Sequence, residues 1–383
     1  MASTLRLRLL PRLSTTSRQR CFPLNTSRKA CYVRFQSSFS SEDDKEEDLP
    51  TSVKPELPSI TSLPDATLRG VGQVIFLNST TSGLAVLGGL AIGNPYLAVL
   101  AATGAATATT AAHFSGLDKA ALQDGLFGYN GCLVGCAAAV FINPLPAASL
   151  LSPIALNAAT AGMTTTILGS AATPFVASAL KPALGSVPQF TLAFNMVTLS
   201  VLLRTKPLLA AEEPTATEGA ADAAEAVTAL TDVLIHAPWK GISQIFVVES
   251  SLAGAAIVGG IAYYSRGLAA HTLLGSSIGA ATGALMGADM ASLAMGLYGF
   301  NSALTSLGVG VFYVHSPQVM ALSAGGAAAT AVVFGAMGDL FGAYGSPCLT
   351  LPFCLTMSGC YLLADTMPGL KLAEAPHSPE RNE

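Results

Sequence analysis

Charge is what this 383-residue chain has least of: Asp, Glu, Lys and Arg make up 11% of it, against 51% hydrophobic residues and a mean hydropathy of +0.53. A soluble globular domain carries about 25% charged residues. So low a fraction excludes a water-facing surface over most of the chain and makes lipid the expected solvent. Net charge is −4, and no basic stripe runs through the apolar stretches, which excludes nucleic acid as a partner. The seven cysteines, at 21, 31, 132, 136, 348, 354 and 360, form no CxxC pair and have no histidine at metal-ligand spacing, so they read as small buried hydrophobes and no metal is expected. HExxH, GxSxG and Walker-type loops are also missing, which argues against an enzyme and against a nucleotide as energy source; no cofactor is expected.

What is present is long apolar sequence in two halves. From 66 to 203 the charges are Arg69, Asp118, Lys119, Asp124 and Lys181, and from 239 to 364 they are Lys240, Glu249, Arg266, Asp289 and Asp339. Windows near 83–112, 131–155, 190–210, 268–288, 290–313, 318–342 and 348–364 reach the length of about 20 apolar residues that a helix needs to cross hydrocarbon. Their alanine and glycine content suits close backbone packing between membrane helices.

The ends and the middle differ. Residues 1–40 hold eight Lys or Arg and no acid, with many Ser and Thr, and acids begin at Glu42. Segment 1–60 is read as a basic transit-like leader followed by an acidic disordered stretch. An organelle presequence, with a cleavage region near Arg34-Phe35, and a basic cytosolic tail both fit it. Residues 207–238, with six acids and no Lys or Arg, read as a solvated linker with room for one amphipathic helix. It separates a first membrane repeat, 61–206, from a second, 239–366; a C-terminal tail occupies 367–383.

The halves are related. Shifted by 171 positions, Gly70 meets Gly241, Gln73 meets Gln244, Gly83 meets Gly254, Gly104 meets Gly275, Asp118 meets Asp289 and Asn130 meets Asn301, without a gap. Arg69 and Lys240 also coincide. In membrane proteins with internal repeats the solute path lies at the repeat interface near the midplane.

The matched segments read LRGVGQVIFLN (68–78) and WKGISQIFVVE (239–249), then GLFGYNGCLVG (125–135) and GLYGFNSALTS (296–306). A third pair is VPQFTLAFN (187–195) and SPCLTLPFC (346–354). Together they resemble the urea transporter family over about 66 to 364. That resemblance implies an all-α membrane protein of about ten transmembrane helices in two inverted five-helix repeats, each with a short re-entrant pore helix. It also implies a homotrimer with one pore per protomer, passing urea passively across the lipid bilayer.

Urea is flat and neutral, with N–H donors at its edges and π-faces above and below. A selective path is therefore a slot with apolar walls and edge acceptors, because unpaired amide groups in a dry site cost several kcal/mol. By carry-over from the resemblance, Gln73 and Gln244 serve as edge acceptors and Thr191 and Thr350 as central hydroxyls. Tyr129, Phe300, Leu133 and Leu304 form slot walls, extended by Val74, Phe76, Ile245 and Val247. Phe76 stands opposite Val247, an asymmetry that admits a wider slot and related small amides.

Other small neutral solutes stay open as alternatives, ammonia and water among them. Paired histidines of an ammonia pore are missing, since His113 aligns with Ala284 and His271 with Leu100, and paired Asn-Pro-Ala boxes are missing too. Glu249, alone at a pore-helix level, raises proton coupling as a further possibility. The leader suggests a mitochondrial or other organelle inner membrane, with the plasma membrane as the alternative.

Overall fold

The computed structural model describes residues 62–142, 153–209 and 223–382. The basic leader and the centre of the acidic linker lie outside the described residues. Fourteen α-helices follow one another among those described, without a strand; a single isolated β-bridge joins Tyr313 to Leu372. The first seven are α1 (Leu63–Gln73), α2 (Thr80–Gly93), α3 (Pro95–Phe114), α4 (Lys119–Gln123), α5 (Gly128–Ala137), α6 (Pro153–Leu184) and α7 (Leu192–Leu209), with a π-helical turn, Ala138–Ile142, extending α5. The others are α8 (Ala223–Gln244), α9 (Ser251–Tyr264), α10 (Arg266–Leu285), α11 (Met290–Ala294), α12 (Gly299–Phe312), α13 (Pro317–Gly342) and α14 (Leu351–Leu363). The bounds of α2, α3 and α4 recur 171 positions later as those of α9, α10 and α11.

Among the described residues, three stretches are long and apolar enough to cross a membrane: Pro95–Phe114, Ala159–Leu184 and Pro317–Gly342. Large apolar side chains face outward on many helices, including Leu84, Leu168, Phe175, Leu252 and Leu355, a surface that water disfavours and lipid accepts.

Two apolar windows prove to be interrupted. The stretch 83–112 breaks at Asn94, whose extended backbone ends α2 while its side chain accepts from Leu97 N at 3.1 Å and Pro95 opens α3. The stretch 290–313 divides into α11 and α12 around Gly296, whose φ of 79° stops the first helix. Helix also enters the linker from both sides, since α7 reaches Leu209 and α8 starts at Ala223. Alanine-rich sequence there favours helix despite its acids. The C-terminal residues fold back onto the bundle, burying Ala373, Ser378 and Asn382.

Glycine sets the helix spacing. A Cβ on Gly104 of α3 would lie 2.1 Å from the Gly131 carbonyl of α5, and one on Gly131 would lie 2.3 Å from the Gly104 carbonyl, so the two backbones touch. Gly70 and Gly128 bring α1 against α5 in the same way, as Gly241 and Gly299 bring α8 against α12.

Helices α2 and α9 cross at the centre. Ser82 Oγ lies 3.5 Å from the Gly260 carbonyl, while Gly93 abuts Ser250 and Ala253, so the two run antiparallel. A Cβ on Gly89 would come within 3.3 Å of the Ala256 methyl, and one on Gly260 within 2.8 Å of the Ala85 methyl. Ala256 and Gly260 are the 171-shifted counterparts of Ala85 and Gly89, so the contact is reciprocal.

The crossings give a direct test. Gly104→Ala forces a methyl into the Gly131 carbonyl and should destabilise by about 1–3 kcal/mol or more. Gly88→Ala, with nothing within 4 Å of the new methyl, should be neutral or gain up to about 1 kcal/mol. Thermal unfolding in detergent measures both, and equal midpoints would refute the close-packing account.

Candidate functional site

The site begins where α1 stops short. After Gln73 the Leu77 N–H bonds the Gly72 carbonyl at 3.0 Å and the Phe76 N–H bonds the Gln73 carbonyl at 3.1 Å, the paired bonds of a Schellman motif. Its left-handed position, usually glycine, is held by Phe76 at φ 59°. At the end of α8 the same two bonds run from Val248 to Ser243 and from Val247 to Gln244, with Val247 at φ 61°. Elsewhere in the chain glycine fills this role, as Gly125 does after α4 and Gly296 after α11. A β-branched residue at positive φ is a steric outlier, costing of order 1–3 kcal/mol, and such strain gathers at functional sites. Here it aims a large side chain into the place where a helix end meets the bundle centre.

The glutamines at these breaks are fixed by one bond each. Gln73 Nε2 donates to the Asp124 carbonyl at 2.9 Å, and Gln244 Nε2 donates to the Met295 carbonyl at 3.0 Å, 171 positions on. A carbonyl can be met only by the amide's N–H, so both side chains are oriented with Oε1 turned away from the bond and able to accept.

A second pair of breaks precedes α7 and α14, where Phe190 and Leu349 have φ of 48° and 51°. Asn130 accepts from Phe194 N at 3.1 Å and Asn301 from Phe353 N at 3.3 Å, each satisfying an orphan donor in a helix first turn. Tyr129 donates its hydroxyl to the Phe190 carbonyl at 2.7 Å. Thr191 and Thr350 meet directly, hydroxyl to hydroxyl at 2.7 Å. Asn195 donates to Thr350 Oγ1 at 2.9 Å and accepts from Thr350 N at 3.1 Å, stitching the two halves at their centre.

A cavity of about 330 Å³ opens beside these groups. Phe76, Phe312, Phe190 and Phe353 line it. Their rings form a closed square of edge-to-face contacts, with successive centroid separations of 5.8, 6.0, 5.3 and 6.2 Å. Each such contact adds about 0.5–1.5 kcal/mol beyond area burial. Gln73, Thr191 and Tyr129 also line the cavity, as do Asp118, Lys181 and Gln189. Gln189 Oε1 is buried without a hydrogen-bond partner.

Of the twelve residues expected from sequence, Gln73, Val74, Phe76, Tyr129 and Thr191 line this cavity. Thr350 touches it through Thr191. Leu133, Ile245 and Leu304 are buried in the core, Gln244 and Val247 are half-buried at the end of α8, and Phe300 packs edge-on against Phe334 at 5.6 Å. None of those six is among the lining residues. Phe190, Phe312 and Phe353 line the cavity without having been expected.

The isolated charges find local partners. Glu249 pairs with Lys240 at 2.8 Å, at positions equivalent to Asn78 and Arg69, which bond at 2.8 Å. Asp118 and Asp289 cap α4 and α11, accepting from Ala121 N at 2.7 Å and Ser292 N at 2.8 Å. The bonds from Ser292 hold Asp289 below its ordinary pKa. His271 is buried against Ser323 Oγ at 2.8 Å.

Comparison with known proteins gives the family. The family model described as "Urea transporter" matches residues 64–365. Similar proteins include "Urea transporter 1" of Ovis aries, 28% identical over 320 residues, and "Urea transporter 1" of Mus musculus, 28% identical over 329; each alignment covers 82% of this chain and 80% of the relative. With an all-helical bundle, outward-facing apolar side chains and a family match across 64–365, the chain belongs to the urea transporter family of membrane proteins.

Proposed function

We propose that this chain passes urea, and related small neutral amides, down their gradients through a narrow slot between its two halves. The observation that carries the reading is the pair of glutamines, each tethered by its N–H to a carbonyl at the same relative position and each left with an oriented acceptor. Such an acceptor replaces water at the edge of a flat N–H donor, and the phenylalanine square suits its faces. The matching names of the relatives support urea as the solute.

The antiparallel, reciprocal crossing of α2 and α9 and the self-pairing of Thr191 with Thr350 support two inverted repeats about a pseudo-two-fold axis. On this reading α2, α3, α5, α6 and α7 cross the bilayer, as do α9, α10, α12, α13 and α14, giving ten crossings. Helix α1 and the last turns of α8 are the re-entrant pore helices. Irregular backbone is tolerated at membrane depth where it is buried in protein or lines a cavity, as at the four breaks here. A homotrimer follows from family resemblance, and the basic leader favours an organelle inner membrane over the plasma membrane.

Glu249 supports passive transport rather than proton coupling, because its carboxylate already has a cationic partner in Lys240.

Radiolabelled urea uptake into proteoliposomes holding the purified chain tests the reading. Flux should be above that of empty liposomes, and Gln73→Ala combined with Gln244→Ala should lower it about tenfold or more, each lost acceptor leaving buried N–H groups unpaired at about 1–3 kcal/mol. Absence of urea flux in the wild type would defeat the proposal. An imposed proton gradient should leave uptake unchanged, and Glu249→Gln should stay close to wild type. Gradient-driven accumulation that vanishes in Glu249→Gln would instead establish coupling.

A further inference from the structure

Residues 367–383 carry few apolar side chains, yet Leu370, Ala373, Ser378 and Asn382 are buried. The segment first runs along the end of α12, where Val314 N bonds the Lys371 carbonyl and Ala373 N bonds the Phe312 carbonyl, both at 2.9 Å, around the bridge from Tyr313 to Leu372. It then returns. Asn382 Nδ2 lies 3.2, 2.8 and 3.0 Å from the carbonyls of Gly310, Val311 and Tyr313. The last carbonyls of a helix have no partner within it; here the tail supplies donors to four consecutive ones, residues 310 to 313.

The far part of the segment is tied to the corner between α9 and α10. Glu380 accepts from Ser265 Oγ at 2.6 Å and from Gly267 N, placing a carboxylate on the first turn of α10 where the helix dipole favours it. Burial pushes the Glu380 carboxyl up, but these bonds outweigh it and hold the group at about 2. The His377 ring stacks on Tyr264 at 5.0 Å and 7°, with Nε2 2.9 Å from the Tyr264 hydroxyl and 3.2 Å from an Arg381 guanidinium nitrogen. Burial, with Arg381 beside it, holds the imidazole below its ordinary pKa.

The bonds of Lys371, Ala373 and Asn382 converge on the last turn of α12, while His377 and Glu380 moor the segment to the α9–α10 corner. The last residue of α12, Phe312, supplies the ring that meets both Phe76 and Phe190 in the cavity wall. We infer that Leu370–Asn382 is a strap that fixes the Phe312 ring in the wall of the solute slot and thereby sets which neutral amides pass, with Asn382 as the positioning residue. The inference rests on the transport reading above. Without the strap four carbonyls lose their donors, the final turn of α12 frays, and one side of the phenylalanine square opens. A solute wider than urea by one methyl group senses that opening first.

The anchor stays charged across ordinary pH. A carboxyl held at about 2 contributes to docking above the free value of 4.5 and loses that contribution only as pH falls toward 2. Glu380→Gln removes it at neutral pH.

The test compares methylurea and urea uptake in proteoliposomes for the full chain, Asn382→Asp, Glu380→Gln and a chain ending at Met367. Asn382→Asp keeps the shape but turns the donor into an acceptor. The strap variants should keep most of their urea flux while the methylurea-to-urea ratio rises several-fold, and Phe312→Ala should raise it similarly with no further gain when combined with Asn382→Asp. Wild-type urea flux with an unchanged ratio in every strap variant would overturn the strap. Hydrogen exchange of residues 309–313, which needs no solute, gives a second reading: faster exchange in the variants is expected, and unchanged protection would overturn the strap even if the transport reading had itself failed.

Discussion

A main-chain N–H or C=O inside a lipid bilayer has no water to turn to, so every place where a helix stops within the bundle must supply its own partners. On the proposed topology this chain stops a helix at four such places: after α1, before α7, after α8 and before α14. Its most specific side chains are found there. Asn130 and Asn301 meet orphan donors, Asn195 meets the Thr350 N–H, and the Schellman bonds close the ends of α1 and α8. The same interruptions let the hydroxyls of Tyr129, Thr191 and Thr350 stand beside aromatic rings with their hydrogen bonds made.

The left-handed residues make the point sharper. Glycine would close the ends of α1 and α8 with less strain, as it does after α4 and α11. Phe76 and Val247 take that position instead, so the local penalty is carried by the surrounding packing. The two halves then diverge where their rings should match, with Val247 and Leu349 standing at the counterparts of Phe76 and Phe190. Two of the four wall rings, Phe76 and Phe190, therefore have aliphatic counterparts, while Phe312 and Phe353 keep aromatic ones in Phe141 and Phe194.

Much of this is legible in the residues themselves. The 171-residue register singled out Gln73 and Gln244 because two polar residues at matched depth in apolar sequence need a common reason, and both prove to be tethered alike. Apolar windows located the bundle but blurred its joints: the cap at Asn94-Pro95 was visible in sequence, and hydropathy averaged across it. The wall residues Phe190 and Phe353 follow a different spacing, 159, and Phe190 faces a leucine in the copy, so repeat matching passed over them. Phe312 comes from the opposite half, a placement only tertiary packing decides. The tail was opaque for a related reason, since its burial depends on carbonyls at the end of α12 and on the corner at Ser265, neither of which leaves a pattern in its own residues.

The bonding at the chain's two described ends also fixes which way the protein faces itself. Asp65 at the start of α1 is bonded by Thr80 at the start of α2, α2 runs antiparallel to α9, and the last residue of α9 stacks on His377. The beginning of α1 and the C-terminal segment therefore emerge on one face, and the end of α3, beside which Asp118 borders the cavity, lies on that face too. On the proposed topology the phenylalanine-lined cavity opens toward that face, and a solute arriving from the other side crosses the midplane before it meets those rings.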